Sequence, residues 1–377
     1  MKTESILVRG VNWLGDAVMS TPALQRLREA RPDAAITLLT PEKLRELWTD
    51  HPAINRVLTF SPGEMVFSLG RRLRAESFAT ALILPNSPRS AIESWLARIP
   101  RRIGAARPWR SWFLTEALPA RAAESPMVKR SAQETRLLIE TGIAIRQPAP
   151  PPGAHHLHQY LHLTSALGAS LEPCAPVLKV ADAAVSAVAE KFEAQPAATR
   201  GRPLIGINPG AEYGPAKRWP KERFIEAAVG FARLQPADWW IFGGPAERTL
   251  AEEIASGIRR GAGAGAKVEC LAGRTSLGEL CAALKCVNVL LTNDSGPMHV
   301  AAAVGTPVIA LYGSTSPELT GPGLPGDPRH QLLREPPACA PCFQRECPID
   351  YRCLSALTVE RVVTALAKAV AISANTG

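Results

Sequence analysis

The sequence predicts an α/β protein made of two domains, each built on a parallel sheet. Short apolar runs that are typical of buried strands alternate with helical patterns, and this alternation restarts near Leu204. Strands that alternate with helices favour a parallel sheet with right-handed crossovers. The length and the composition agree with this prediction, because 377 residues with 46% hydrophobic and 20% charged content suit two soluble domains with large cores.

The first half of the chain opens with a strand at 6–10, a turn and a helical pattern at 17–30. Pro22 must lie near the first turn of a helix or at a kink, because it cannot continue a helical ladder. The remaining elements predicted in this half are strands at 35–39, 57–60 and 80–84 and a helical segment at 41–48.

Polar residues follow the ends of two of these strands. Gly15 and Asp16 lie in the turn after the first strand, and Asn86 and Ser87 follow the strand at 80–84. Because ligands of open parallel sheets bind at the carboxyl ends of the strands, these positions are candidate site residues. The plainer interpretation of Asp16 is a carboxylate that caps the following helix.

The second half repeats the pattern, with strands predicted at 204–208, 239–242, 268–272, 287–291 and 308–312. A Gly/Pro-rich loop after the first of these carries the adjacent cations Lys217 and Arg218. A glycine turn with a carboxylate, Gly243, Gly244 and Glu247, follows the second. Cations can bind phosphate and a carboxylate can bind ribose hydroxyls, so the loops predict a nucleoside diphosphate site.

A helix is predicted directly after the strand at 287–291, with Pro297 in its first turn and Gly305 at its end. Four residues lie at or within one turn of its N-terminus: Asp294, Ser295, Gly296 and His299. Free N–H groups and the helix dipole make such a terminus an anion site. The alternative is an ordinary polar cap with a histidine on the helix surface.

The net charge of +9 favours an anionic partner, such as a phosphorylated substrate or a membrane surface. The densest basic stretch lies at 98–110 and includes Trp109, with Trp112 close behind. It is either a solvated face or a surface that docks on lipid headgroups or phosphates. Nucleic acid is not expected, since the aromatic residues are not interleaved with basic ones in an RNA-binding pattern.

Two clusters contain residue types that ligate metals. Four cysteines follow a C-x2-C-x4-C-x5-C spacing: Cys339, Cys342, Cys347 and Cys353. They form either a zinc site or a metal-free packed loop. Four histidines lie at 155, 156, 158 and 162, and their pattern favours polar positions on a surface helix.

Four motifs together resemble the ADP-heptose:lipopolysaccharide heptosyltransferase family, and within it most closely the heptosyltransferase II group. In chain order they are N-W-L-G-D at 12–16, N-P-G-A-E-Y-G-P-A-K-R-W-P at 208–220, N-D-S-G-P-M-H at 293–299 and C-F-Q-R-E-C-P at 342–348. The resemblance covers nearly the whole chain.

The resemblance implies a GT-B fold, in which two Rossmann-like domains face a central cleft. It implies that residues 1–180 bind the acceptor, that residues 181–355 bind the ADP-sugar, and that residues 356–377 form a helix returning to the N-terminal domain. The implied reaction moves L-glycero-D-manno-heptose from ADP-heptose to the first heptose of the lipopolysaccharide inner core, in heptosyl-Kdo2-lipid A, with inversion.

The resemblance also assigns roles. Asp16 matches the family's base and Lys217 its diphosphate-contacting lysine, so these two are the catalytic candidates. The candidates for donor binding are Gly15, Lys217, Arg218, Gly243, Gly244, Glu247, Asp294, Ser295, Gly296 and His299. The candidates for acceptor binding are Asn12, Trp13, Asn86, Ser87 and Arg102. No metal or other cofactor is expected, Mg²⁺ included, because no D-x-D motif lies near the donor loops.

The expected partners are ADP-heptose, a lipid A-linked core acceptor and the inner leaflet of the cytoplasmic membrane. We expect a cytoplasmic monomer that is peripheral to this membrane, since no signal-peptide pattern is visible. The alternatives are a heptosyltransferase acting at another core position or on a protein, a GT-B nucleotide-sugar 2-epimerase, and a lipid-surface binding protein with a vestigial nucleotide site.

Overall fold

A computed structural model describes residues 4–142, 150–195, 201–263 and 265–375. The chain forms two compact units. The first comprises residues 1–124 and 151–179, and the second comprises residues 125–150 and 180–377. Segment 125–150 therefore departs from the predicted N-terminal domain of residues 1–180. Its backbone is bonded within the second unit, where the Arg130 N–H donates to the Cys342 carbonyl over 3.0 Å.

The described residues form twelve strands and fourteen α-helices. The strands are β1 (Ser5–Arg9), β2 (Ala35–Pro41), β3 (Arg56–Phe60), β4 (Thr80–Ile83), β5 (Arg101–Ala105), β6 (Glu116–Leu118), β7 (Leu204–Asn208), β8 (Asp238–Ile241), β9 (Val268–Cys270), β10 (Val289–Asn293), β11 (Val308–Tyr312) and β12 (Gln331–Arg334). The helices are α1 (Leu14–Met19), α2 (Thr21–Ala30), α3 (Val66–Ala75), α4 (Pro88–Leu96), α5 (Ala132–Thr141), α6 (Leu157–Ser165), α7 (Asp182–Lys191), α8 (Lys221–Leu234), α9 (Arg248–Gly261), α10 (Leu277–Cys286), α11 (Gly296–Ala303), α12 (Pro317–Thr320), α13 (Arg352–Ser355) and α14 (Val359–Asn375).

The two sheets share one topology. In the first unit the strand order is β3-β2-β1-β4-β5-β6, and in the second it is β12-β11-β10-β7-β8-β9. All neighbouring strands are parallel. When the strands are numbered within each unit, both orders are 3-2-1-4-5-6, which is the Rossmann order. In this order the crossovers diverge between strands 1 and 4 and leave a crevice at the carboxyl ends of these strands. The predicted α/β class with two Rossmann-like domains is confirmed.

Several elements differ from the sequence-based expectation. The helical pattern at 17–30 is interrupted at Ser20, so Pro22 lies in the first turn of α2, where its missing N–H is tolerated. The segment Glu42–Trp48 is a 3-10 helix. Strands β5, β6 and β12 were not predicted.

The C-terminal helix belongs to the second unit. The apolar residues Val362, Leu366 and Val370 of α14 are buried in the same core as Phe224 and Leu291. The i, i+4, i+8 spacing places them on one face of the helix. This face completes the core of the second unit beside α8 and β10, and the return of residues 356–377 to the N-terminal domain stays a prediction.

A buried ion pair holds the end of β1. Arg9 is the last residue of this strand, and its Nε donates to Glu93 Oε2 over 2.8 Å, with both side chains almost completely buried. Arg9 Nη1 also donates to Asn12 Oδ1 over 3.1 Å, and the guanidinium lies over the Phe60 ring at 4.3 Å. Burial lowers the pKa of Arg9, and Glu93 partly offsets this effect. Arg9 thus links β1, α4 and the turn that carries Asn12.

Arg9→Met should lower the free energy of unfolding by about 3 kcal/mol, because it leaves a buried carboxylate without its main partner. Arg89→Met is the matched control, since half-exposed Arg89 bonds the other oxygen of Glu93 over 3.0 Å, and it should change stability by less than about 1 kcal/mol. Urea denaturation measures both values. Equal losses would contradict the assigned role of Arg9.

Candidate functional site

The first group of candidate residues surrounds Asp16. Trp13 is the N-cap of α1, and Asp16 lies in the first turn of this helix. Asp16 therefore does not occupy the capping position. Its Oδ1 accepts a hydrogen bond from the Tyr160 hydroxyl over 3.3 Å and lies 3.6 Å from His156 Nδ1. The His156 and Tyr160 rings are stacked, with centroids 5.2 Å apart.

Tyr160 can orient the Asp16 carboxylate without taking its negative charge. Burial raises the pKa of Tyr160 well above its usual value, and the adjacent Asp16 charge raises it further. The phenol therefore stays protonated and donates to Asp16. The Asp16 side chain is 25% exposed, so a substrate hydroxyl can reach it. A fixed, accessible carboxylate has the geometry that a general base needs.

Four of the five acceptor candidates lie near Asp16 in the topology, at the carboxyl ends of the neighbouring strands β1 and β4. Asn12 is held by Arg9, and exposed Trp13 lies under Lys43 Nζ at 5.3 Å. Asn86 Oδ1 accepts from buried Arg110 Nη1 over 3.4 Å, and Ser87 caps α4 by accepting from the Ser90 N–H.

Arg102, the fifth acceptor candidate, is not supported. It is the second residue of β5 and pairs in register with Ala81, so it lies toward the amino end of the parallel sheet. Its Nε donates to the Phe113 carbonyl over 2.7 Å, and its Nη1 donates to Ile99. The guanidinium therefore ties loops together at the edge away from Asp16.

The basic stretch at 98–110 is not an open cationic face. Arg101 pairs with Glu116 at 2.9 Å and Arg107 with Glu124 at 2.5 Å. Arg110 is completely buried, and burial lowers its pKa to about 10. Arg101 and Arg107 are therefore paired with carboxylates of the first unit and Arg102 is bonded to its backbone carbonyls, so these three arginines do not form a free cationic surface.

The sequence analysis did not identify His156 and Tyr160, which lie beside Asp16. The four histidines were expected on a helix surface, yet His155 is buried and His156 contacts Asp16. The i, i+4 spacing of His156 and Tyr160 indicates one helix face. No local signal shows that this face contacts a turn 144 residues earlier in the chain.

In the second unit, the central contact is a buried ion pair between two predicted donor residues. Lys217 Nζ lies 2.6 Å from Asp294 Oδ2, and the side chains are only 14% and 4% exposed. The Thr315 hydroxyl donates to the same oxygen over 2.6 Å. Lys217 Nζ also lies over the Tyr213 ring at 4.9 Å. The pair thereby connects the loops that follow β7, β10 and β11.

The geometry suits Asp294 to position Lys217. A buried carboxylate repels an anion, but it can fix the position of an ammonium group through a short ion pair. An ammonium has three donors, so pairing with Asp294 still leaves Lys217 able to donate to a diphosphate. Sequence reasoning identified both residues but missed their contact and the role of Thr315.

Buried amides and hydroxyls hold the start of α11 against the end of β7. Asn208 Nδ2 donates to Ser295 Oγ over 3.1 Å, and Asn293 bonds both the Trp219 N–H and the Pro209 carbonyl. Ser295 is the extended N-cap of α11, and Gly296 is its first residue. His299 is only 5% exposed, so it does not lie on the helix surface. This network presents the predicted helix N-terminus beside the 208–220 loop.

Glu247 lies against the loop after β7. A side chain at Gly210 would place its Cβ 1.9 Å from Glu247 Oε1, so only glycine allows this approach. Glu247 Oε2 accepts from the Gly244 N–H over 2.9 Å, which fixes the turn that also contains Gly243. The exposed Arg218 guanidinium donates to the Ala211 carbonyl over 3.0 Å. These contacts hold the loops that follow β7 and β8 together at one edge of the sheet.

The cysteine segment supports the same edge. Its four cysteines line one small cavity together with Ala216, Gly313 and Ser314. The Ser314 carbonyl accepts the Cys342 and Phe343 N–H groups, and the Ala216 N–H donates to Arg345. The segment thus carries backbone partners for the loop that contains Lys217.

Burial affects three of the four thiols. Burial is the main cause that raises the pKa of Cys353 to about 12, and burial also raises those of Cys339 and Cys342. Within the ranges that the structure describes, no group of three or more His, Cys, Asp or Glu side chains is arranged to hold a metal ion. Both the zinc-site and the packed-loop interpretations stay predictions.

Comparison with known proteins adds evidence of family. The model of glycosyltransferase family 9 (heptosyltransferase) matches residues 66–149 and 143–352. The chain belongs to glycosyltransferase family 9. The matched residues include three of the four motifs, those at 208–220, 293–299 and 342–348, and the family assignment makes the protein a glycosyltransferase.

Individual relatives of this family 9 enzyme agree. The chain is 31% identical over 333 residues to the lipooligosaccharide heptosyltransferase 2 of Haemophilus influenzae, covering 84% of this chain and 86% of the relative. It is also 31% identical to the lipopolysaccharide heptosyltransferase 2 of Escherichia coli K12, covering 84% and 85%. The solved structure of E. coli ADP-heptose lps heptosyltransferase II superposes with a TM-score of 0.76 at 27% identity, over 97% of this chain and 98% of that one. The predicted GT-B fold class is confirmed.

Asp16→Asn should lower turnover by roughly 10²–10⁴-fold, because the amide keeps the size of the side chain but cannot accept a proton. Affinity for ADP should not change, since Asp16 lies in the first unit. Tyr160→Phe removes only the orienting hydrogen bond and should cost about tenfold or less. Steady-state kinetics and calorimetry measure these effects. Turnover near the wild-type value in the Asn variant would remove Asp16 from the role of base.

Lys217→Ala should weaken ADP binding by roughly 10–100-fold, because a charge-assisted hydrogen bond to phosphate is lost. The difference in ADP affinity between the wild type and this variant should become smaller at high salt, because salt screens the attraction between Lys217 and the phosphates. Lys221→Ala is the matched control, since exposed Lys221 pairs with Glu253, and it should bind ADP normally. Unchanged ADP affinity in the Lys217 variant, measured by calorimetry, would show that the donor site is misplaced.

Proposed function

We propose that this family 9 enzyme transfers L-glycero-D-manno-heptose from ADP-heptose to the first heptose of the lipopolysaccharide inner core. The observation that carries the proposal is the buried Lys217–Asp294 pair beside the N-terminus of α11, which supplies a cation and backbone donors for a diphosphate. The relatives named heptosyltransferase 2 support the choice of sugar and of acceptor position.

In the proposed reaction, an acceptor hydroxyl oxygen attacks the anomeric carbon of the donor. The bond from that carbon to the β-phosphate oxygen breaks, ADP leaves with the electron pair, and the configuration at the anomeric carbon is inverted. Asp16 takes the proton of the attacking hydroxyl, and Tyr160 keeps the carboxylate oriented. Asn12, Trp13, Asn86 and Ser87 are the proposed acceptor contacts.

Charge that develops on the leaving diphosphate is stabilised by the second unit. Lys217 and the N–H groups at Ser295 and Gly296 are proposed to bind the phosphates, and Asp294 and Thr315 hold Lys217 in position. Glu247 is proposed to bind the ribose hydroxyls. We propose that no metal ion takes part, because a fixed lysine and a helix N-terminus already supply positive charge at the leaving group.

We further propose that the enzyme works at the inner face of the cytoplasmic membrane as a peripheral monomer. The acceptor class implied by the relatives is a lipid-linked core oligosaccharide. No helix in the described ranges is both long and apolar enough to cross a bilayer.

A panel of donors and acceptors tests the proposed function. The purified protein is offered ADP-heptose, UDP-sugars or GDP-sugars with heptose-primed or unprimed Kdo2-lipid A, and products are identified by mass spectrometry. One heptose should be added only from ADP-heptose and only to the primed acceptor, and EDTA should leave the rate unchanged. Addition to the unprimed acceptor would overturn the proposed acceptor position. Donor conversion without any acceptor would instead indicate an epimerase.

A further inference from the structure

One outer layer of the first unit combines exposed aromatic side chains with unpaired arginines. It consists of α3, α4 and the segment 109–113, and we call it the aromatic–arginine surface. The buried sides of these elements share one core, which includes Leu69, Leu73, Ala91 and Leu114. The three elements therefore cover the same face of the first sheet. At Gly70 a Cβ would lie 2.6 Å from Leu96 Cβ, so α3 and α4 are in close contact.

Large apolar side chains on this surface point into solvent. Phe67 is 75% exposed, Trp109 74%, Trp112 78%, Met65 72% and Trp95 47%. The Trp109 and Trp112 rings contact edge to face at 5.8 Å, and Trp95 contacts Phe113 in the same way at 5.6 Å. A cluster of exposed aromatic residues on a folded domain marks an interaction site.

The charge of the same region is strongly positive. Residues 56–124 contain eleven arginines, five glutamates, and no lysine or aspartate, a net charge of +6 out of +9 for the chain. Each of the five glutamates pairs with an arginine. Exposed Arg71, Arg74 and Arg98 form no ion pair among the described residues. Phe67, Arg71 and Arg74 follow i, i+4, i+7 spacing, which places an aromatic ring and two free cations on one face of α3.

We propose that the aromatic–arginine surface docks this enzyme on an anionic phospholipid membrane. Tryptophan and phenylalanine side chains partition into the headgroup region of a bilayer, and arginines near them are attracted to anionic lipids. Neither signal alone gives stable attachment, but the two together give reversible, salt-sensitive binding. The proposal rests on the proposed function in one respect, since a lipid-linked acceptor explains why the enzyme needs a membrane surface.

Backbone geometry supports the exposure of one of these rings. Trp109 has a φ of +64°, a left-handed conformation that is rare for a bulky residue and costs energy. In this conformation the ring lies in solvent and contacts only Trp112 among the aromatic residues described.

Cosedimentation with lipid vesicles tests the proposal without any substrate. The wild-type protein should bind vesicles of phosphatidylglycerol and phosphatidylethanolamine, bind phosphatidylcholine vesicles at least tenfold more weakly, and dissociate at high salt. The triple variant Phe67→Ser, Trp109→Ser, Trp112→Ser and the double variant Arg71→Glu, Arg74→Glu should each lose at least tenfold in affinity for the anionic vesicles.

Matched variants control for the removal of exposed apolar or charged groups elsewhere. Leu171→Ser with Leu234→Ser removes two similarly exposed side chains, and Arg233→Glu with Arg260→Glu reverses two exposed charges of the second unit. Both control variants should bind vesicles as the wild type does. Equal binding by the surface variants and the wild type, or no binding by the wild type, would overturn the proposal.

Activity assays separate this proposal from the proposed function. The surface variants should transfer heptose normally to a short, delipidated acceptor, yet lose at least tenfold in rate on an acceptor embedded in anionic vesicles. If the wild type transfers heptose to the soluble acceptor but does not bind vesicles, the docking surface is wrong and the function stands. If it binds vesicles through this surface but transfers heptose to neither acceptor, the proposed function fails and the docking surface stands.

Discussion

Parallel strand order is the constraint on which both candidate sites depend. In each unit the first strand lies beside the fourth, so consecutive crossovers run to opposite sides and the carboxyl ends of these two strands stay open. In the first unit this edge carries Asn12 and Asp16 after β1 and Asn86 after β4. In the second unit it carries the 208–220 loop after β7 and Asp294 after β10. The same geometry, used twice, places the candidate base in one unit and the candidate diphosphate site in the other.

Buried charge then fixes the side chains at these edges. Arg9 is paired with Glu93 and holds Asn12, while Asp294 is paired with Lys217 and accepts from Thr315. Such pairs add little net stability, because desolvation of the two ions offsets most of their attraction. These pairs fix the positions of the side chains, since a charged group with a bonded partner has few alternative conformations. The Lys217 ammonium is therefore held ready before any substrate binds.

The strands buried on both faces could be predicted from the sequence. Continuous apolar runs predicted β7 and β11 with their observed bounds, because each strand is apolar up to its last residue and no polar residue interrupts the pattern. Strand β5 was missed because it begins with Arg101 and Arg102, whose long side chains reach Glu116 and nearby carbonyls at the sheet edge. The same misjudgment made these arginines look like a free cationic surface. Local sequence carries charge but does not show which charges are paired.

The residues of the candidate site likewise divide into those that the sequence predicted and those that it did not. Motifs predicted Asp16, Lys217 and Asp294, since their residue types follow recognisable strand ends. Their partners Tyr160 and Thr315 were not predictable, because each comes from a distant part of the chain and lies in no motif. The apolar stripe of α14 likewise shows that this helix packs on a core, but the sequence does not show which core.

A crystal structure of the protein with bound ADP tests the account of the donor site most directly. The account predicts that the β-phosphate lies at the N-terminus of α11, within hydrogen-bonding distance of Lys217 Nζ and of a backbone N–H at Ser295 or Gly296, with Lys217 still paired to Asp294. A diphosphate bound at another strand end, with Lys217 and the α11 N-terminus both unengaged, would contradict it.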